Sequence, residues 1–316
     1  MKLSTTNRPT LQRIALALAI FLSLSSVASP AQTRKPSESD RDIEAIGHRN
    51  LFPENRGFSL TNEKARGEIY SAAFERGNEI LEDPAINAYI GQVAQRLAQN
   101  SDAQIPITVR IVNSNEVSLF LPPGGYQYIS IGLLLRLQNE GELASVLARG
   151  IAHTALHIAD REIFRANLLQ MASIPNISSI AFGSKETNGA WLASDGFVLL
   201  ANIRGYESEA DYFGIQYLYK SGYETDCFLS ALQSVWGSTR TRQAFSPYPA
   251  LPERLKALHK EINDILPKRT GEIVSTPEFP AFQNRLQSLQ PPEPTPRLVR
   301  PDADPKLIHH DSLLSN

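Results

Sequence analysis

Three short segments hold the side chains of this sequence that could work together chemically. They are Leu147-Ala148-Arg149-Gly150-Ile151-Ala152-His153, Arg204-Gly205-Tyr206-Glu207-Ser208-Glu209-Ala210-Asp211-Tyr212-Phe213-Gly214, and Tyr248-Pro249-Ala250-Leu251-Pro252-Glu253-Arg254-Leu255. His153 and His157 stand four residues apart, and histidines at that spacing share one face of a helix and can bind Zn²⁺. Glu207 or Asp211 would complete such a site, with Thr154, which is no general base, following the first histidine. Two histidines on one face also arise by chance, so a capping or packing role for His157 stays open. Cys227 is the single cysteine, which excludes an intrachain disulfide and a cysteine-rich metal site and suits a small core hydrophobe. The 31 basic and 33 acidic side chains leave a formal charge of −2, so no excess points to nucleic acid or to an anionic membrane surface.

The elements that must position these segments can be read from local pattern. Glu63 to Leu81 has helical composition. Asp83-Pro84 is a cap followed by proline at the first helical position, and Ile86, Tyr89, Ile90, Val93 and Leu97 repeat behind it at helical spacing. Ile105, Ile107, Val109 and Ile111 alternate as a half-buried strand does. Val117 to Leu121 is a second strand candidate, Pro122-Pro123-Gly124-Gly125 breaks the chain, and Tyr126 to Ile131 is a third. Asn139 with Glu142 forms a capping-box pattern ahead of a helix whose stripe is Leu143, Val146, Leu147, Ile151 and Ile158. Thr187 to Gly196 reads as a loop. Helices are expected from about Phe197 to Tyr219, stopping at Ser221-Gly222, from near Thr225, and over Glu253–Ile265.

The three segments, together with Leu121-Pro122-Pro123-Gly124-Gly125-Tyr126 and Gly132-Leu133-Leu134, resemble the HtpX-like zinc metallopeptidases, metallopeptidase family forty-eight. That family also contains periplasmic proteases that tend outer-membrane assembly. The resemblance runs from about Arg56 to Gln287 and keeps the order and spacing of its pieces. It implies an α+β fold: a mainly helical, gluzincin-type metallopeptidase domain, over 56–287, with a small β-sheet beside the active-site helix.

A site of this kind needs two histidines at i and i+4, a glutamate directly after the first as general base, and a glutamate from another helix as third ligand. Here H-E-x-x-H is replaced by Arg149-Gly150-Ile151-Ala152-His153. His153 keeps the second histidine position and Glu207 the distant ligand, with Asp211 as its E-x-x-x-D partner. The family's late transition-state histidine aligns with Tyr248, and its following arginine with Arg254. Arg149 cannot be deprotonated and so cannot bind zinc. Gly150 has no side chain, and loss of a general base costs about 10²–10⁴ in rate. If Arg149 projects where the missing ligand sat, its guanidinium can face Glu207 and take over the metal's positive charge. The other reading has Arg149 pointing to solvent.

The family's strand after L-P-G-G-Y offers an edge to an extended polypeptide, which implies peptide contacts at Gly124, Gly125, Tyr126 and Tyr128. The leading reading is therefore a non-catalytic, polypeptide-binding or chaperone-like pseudopeptidase without cofactor. Its partners would be unfolded or envelope proteins, with membrane association not required. A zinc metalloendopeptidase with a rebuilt site, and a structural envelope component, are the alternatives.

Residues 1–31 read as a secretory signal: Lys2, Arg8 and Arg13 precede the apolar stretch Ile14–Val27, which is shorter than the ~20 residues of a membrane span. Residues 32–55 read as a polar linker and 288–316 as a disordered proline-rich tail, in which His309-His310 is inert. Trp191 and Trp236 are expected to pack at the core or rim, and Ile163–Phe182 to be buried.

Overall fold

The fold, taken from a computed structural model, is described for residues 37–51, 59–163, 188–237 and 249–291, with backbone alone for 188–203. In chain order the elements are α1 (Glu38–Arg41), α2 (Leu60–Gly77), α3 (Pro84–Gln99), β1 (Thr108–Val112), β2 (Leu119–Phe120), β3 (Tyr126–Ser130), α4 (Ile131–Leu134), α5 (Glu140–Ala155), α6 (Asn188–Lys220), α7 (Asp226–Trp236), α8 (Leu251–Asp264) and α9 (Phe279–Leu289). The architecture is α+β, mainly helical with one small sheet, as the sequence predicts.

Helix α5 is the centre of the molecule, and every one of its residues is buried. Asn139 caps it by accepting from the Glu142 N–H at 2.8 Å. The Glu142 carboxylate accepts from the Gln138 N–H, one residue ahead of the cap, at 2.9 Å. A helix buried all round must find partners on every side. Helices α3, α6 and α7 pack on α5, and α8 lies outside α6. In α3, Asp83 accepts from the Ala85 and Ile86 N–H groups ahead of Pro84, and Ile86, Ile90, Val93 and Leu97 turn inward. Those backbone hydrogen bonds, then the Arg285 guanidinium, hold the Asp83 carboxyl below its usual pKa.

The sheet has the order β1-β3-β2, with β1 parallel and β2 antiparallel to the middle strand. Alternation gives β3 two different faces. Tyr128 faces α2, where its ring lies 4.6 Å from Phe74 and its hydroxyl donates to Glu75 at 2.7 Å. Gln127 faces α5 and donates to the Leu147 carbonyl at 3.4 Å.

Several expectations are corrected. The stretch read as a linker is packed where it is described: Ile43, Ile46 and Leu51 are in the core. Within it the Arg49 guanidinium forms a buried ion pair with Asp102 at 2.6 Å. Burying the polar part of such a segment needs a partner far along the chain, which its own composition does not reveal. The expected loop 187–196 is helical from Asn188 onward, and α9 carries regular structure past 288 to Leu289. The signal sequence, the tail from 292, Tyr248, the two tail histidines, the side chain of Trp191 and most of Ile163–Phe182 lie outside the described residues. Among the described residues, no helix is long and apolar enough to cross a membrane.

The turn before β3 depends on close contact. Gly124 and Gly125 have φ of +79° and +83°, a region side chains disfavour. Against this turn lies Gly67 of α2, where an added Cβ would stand 2.5 Å from the Pro123 carbonyl oxygen and 2.9 Å from Gly124 Cα. Both are backbone atoms, so helix and turn would have to separate. Gly67→Ala is therefore expected to destabilise the protein by about 1–3 kcal/mol in urea unfolding. Alanine's better helix propensity of about 1 kcal/mol predicts the opposite sign if the contact does not matter.

Candidate functional site

Arg149 projects from the middle of α5 toward α6, and its side chain is 2% exposed. Its Nη2 is ion-paired with Glu207 Oε2. Its Nε donates to Asp211 Oδ1 at 3.1 Å. Glu207 and Asp211 are four residues apart on α6, so both carboxylates face the same guanidinium. Of the two readings of Arg149, the solvent-facing one is excluded.

Arg254 of α8 also turns to Asp211. Its Nε donates to Oδ2 at 2.6 Å and its Nη2 to Oδ1 at 2.8 Å, a bidentate pair. Trp236, at the end of α7, completes the cluster. The Arg149 and Arg254 guanidinium carbons lie 5.1 and 5.0 Å from its ring centroid, within cation–π range. Trp236 thus packs at the rim as expected, with two buried cations as its neighbours.

His153, one turn beyond Arg149, has Nε2 3.5 Å from Glu207 Oε1. Burial, reinforced by Arg149, Arg161 and Arg254, pushes its pKa well below the usual value, so the imidazole is neutral. Among the described residues, the cluster then holds two guanidinium cations, Arg149 and Arg254, and two carboxylates, Glu207 and Asp211.

The shifted histidine site does not form. Helix α5 ends at Ala155, and His157 sits beyond it with φ of +52°. Its Nδ1 lies 2.5 Å from Glu63 Oε2 on α2, away from His153. Positions i and i+4 share a face only while the helix continues, and here it stops between them. Asp211 serves the two arginines instead. Among the described residues, no three His, Cys, Asp or Glu side chains are grouped as a metal's donor set. The family's zinc therefore does not fit these residues: a permanent cation occupies one ligand's place and is bonded to another ligand.

The residues expected to contact peptide lie in and beside the middle strand: β1 pairs β3 along Tyr126–Ser130, and on the other side β2 pairs Tyr128 and Ile129. Tyr128 is 1% exposed, Gly124 and Gly125 are buried in the turn, and Tyr126 stacks beside Tyr128. Among the described residues, β2 forms an outer edge without a strand beyond it, and β1 forms the other, bridged by Ile80 at Val112.

Gln127 is a site residue that motif reasoning missed. An ideal Cβ built on Gly150 would stand 2.4 Å from Gln127 Oε1 and 2.5 Å from its Cδ. The carboxamide thus lies where a side chain at 150 would start. A polar residue at an inward position of an alternating strand was the available signal.

The profile of peptidase family M48 matches residues 84–262, more than half of the chain, from the first turn of α3 to α8. The chain belongs to peptidase family M48. This M48 chain is similar to beta-barrel assembly-enhancing proteases from Yersinia pestis, 25% identical over 225 residues, and from Escherichia coli K12, 24% identical over 225 residues. A Vibrio cholerae relative is 30% identical over 179 residues. These alignments take in 67%, 66% and 53% of this chain but only 46%, 45% and 36% of the relatives, so the chain spans less than half of their length.

A cleft of about 430 Å³ adjoins the cluster between α6 and α8, lined among others by Asp211, Tyr212, Arg254 and Glu261. Glu261 is 5% exposed, and burial raises its carboxyl pKa well above its ordinary 4.5, although Gln216 Nε2 donates to it at 3.0 Å. A raised folded-state pKa means stability present below pH 4.5 and lost as pH rises through the folded value. Glu261→Gln keeps the acceptor for Gln216 and removes that loss. Thermal unfolding across pH should show the two proteins coinciding below about pH 4.5, with the variant increasingly the more stable above it.

The arginine cluster makes a second prediction. Arg149→Leu leaves the Glu207 carboxylate buried without its cation and is expected to cost about 3–5 kcal/mol, whereas Arg149→Leu with Glu207→Leu costs markedly less. Equal losses in the single and double variants, measured by urea unfolding, would contradict the coupling.

Proposed function

We propose that this protein is a metal-free, non-catalytic member of family M48 that binds extended polypeptide in the cell envelope. The observation that carries the reading is the buried Arg149 guanidinium, ion-paired with Glu207 where a zinc peptidase needs an imidazole and an open ligand. Two further features support it. Gly150 supplies no base, and Arg254 is committed to Asp211.

Polypeptide binding needs no metal. The outer edge of β2 has no strand partner among the described residues. Ser130 N–H donates to the Ser118 carbonyl at 3.1 Å, so by alternation Phe120 faces β3 and Leu119 turns its N–H and carbonyl outward. That edge can take an added strand through backbone hydrogen bonds with little demand on sequence. The relatives are named for enhancing β-barrel assembly. An unfolded β-barrel protein is a chain of extended segments, the ligand such an edge selects. The same relatives suggest a place in the envelope, in keeping with the signal-like N-terminus.

Elemental mass spectrometry on the purified protein should find no stoichiometric zinc, and casein should remain uncut with zinc supplied. An unfolded outer-membrane β-barrel polypeptide should bind, as read by fluorescence anisotropy. Leu119→Pro removes the outward donor while sparing the bonds between β2 and β3, and should weaken binding about tenfold or more with little change in stability. One equivalent of zinc lost in His153→Ala, accompanied by casein cleavage, would instead establish a rebuilt peptidase.

A further inference from the structure

At the general-base position more has changed than the residue at 150. Gln127 is 0% exposed and sits on the face of β3 that meets α5. Its Oε1, Cδ and Nε2 lie 2.4, 2.5 and 2.8 Å from the position of a Cβ on Gly150, distances that real Cβ atoms essentially never show. Its Nε2 is anchored on the Leu147 carbonyl, one turn earlier in α5, at 3.4 Å. Its Oε1 is buried with no hydrogen-bond partner among the described residues. An orphaned carboxamide oxygen in an otherwise apolar contact is costly to keep. Nothing in helix–sheet packing calls for a polar group there. A space-filling role facing a residue without a side chain accounts for it.

We propose that Gln127 occupies the place of the lost general base: its carboxamide holds the volume that a glutamate at position 150 requires, so restoring that glutamate is blocked unless Gln127 is shortened as well. The proposal rests on the metal-free reading above. The remaining donors already converge, with His153 Nε2 and Glu207 Oε1 3.5 Å apart. What a rebuilt site lacks is a second imidazole at 149 and room for a base at 150. The competing view is that Gln127, the flexible end of a side chain, simply swings aside. Its full burial and its anchor on the Leu147 carbonyl oppose that movement, and the test below decides between the two.

The test needs no activity assay. Gly150→Ala introduces the bare Cβ. It is expected to shift the unfolding equilibrium roughly tenfold toward the unfolded state, although alanine is the better helix former. With Gln127→Ala already in place, the same change should turn stabilising, by up to about fivefold. Additive effects of the two substitutions would overturn the proposal, and this cycle decides even if larger variants do not fold. Gly150→Glu is then made in the full-length wild type and with Gln127→Ala in place, and its effect on urea unfolding is measured in each. The loss is expected to be about tenfold larger in the wild type than with Gln127→Ala in place. Equal losses in the two backgrounds would refute the role of Gln127. Zinc in the wild type, read by elemental mass spectrometry, would instead bring down the metal-free reading on which the proposal stands.

Discussion

A guanidinium buried in the middle of a helix sets the terms for everything around it. Arg149 cannot lose its charge, so taking it out of water is tolerable only if carboxylates meet it with good geometry. Glu207 and Asp211, one helical turn apart on α6, supply that geometry and thereby set the register of α6 against α5. Asp211 then faces more than one cation, and Arg254 draws α8 onto the outside of α6. Trp236 covers both guanidiniums from the end of α7. Four helices are thus tied together at the place where other members of the family hold a metal. The arrangement contains the family's charge pattern with the metal's positive contribution moved onto a side chain.

Most of this was legible in the sequence as identity and spacing, and little of it as geometry. The cap at Asp83, the stripe of α3 and the stop of α6 near Gly222 are local features, written in a few adjacent residues. So is the loss of a ligand and a base at 149 and 150, because a motif fixes which chemistry each position must carry. Pairing across the fold is another matter. Nothing local says that Arg49 meets Asp102, or that His157 turns to Glu63 once the helix ends. The histidine pair looked like a metal face because helical spacing was extended past the helix terminus, and two residues decide whether a face exists. The same limit holds for Gln127, whose place in the strand acquires meaning only when α5 is seen to lie against it.

The sheet shows why the order of strands in the chain misleads about binding. Strand β3 follows the family's glycine turn, and by that resemblance it invites the role of peptide edge. In the fold β1 pairs it in parallel along its length, and β2 pairs its Tyr128 and Ile129 antiparallel. Tyr128 packs against Phe74 of α2, and in the turn before the strand Gly124 meets Gly67 while Gly125 lies against Pro106. An outer edge falls to β2, two residues long and preceded by a loop. A short edge limits unwanted pairing while leaving a start for a strand that is held elsewhere as well.

Space and charge reinforce each other at the altered motif. A cation at 149, ion-paired with Glu207, makes an additional divalent ion beside it unfavourable. A missing side chain at 150 removes the base and lets β3 and α5 close together, with the Gln127 carboxamide between them. Reversing either change alone meets the other: a glutamate at 150 enters occupied volume and faces a site without metal, and a histidine at 149 leaves two carboxylates short of a cation. Each substitution therefore makes the neighbouring one easier to keep. A packed interior, in which small groups have nowhere to go, turns two point changes into a state that no single step undoes.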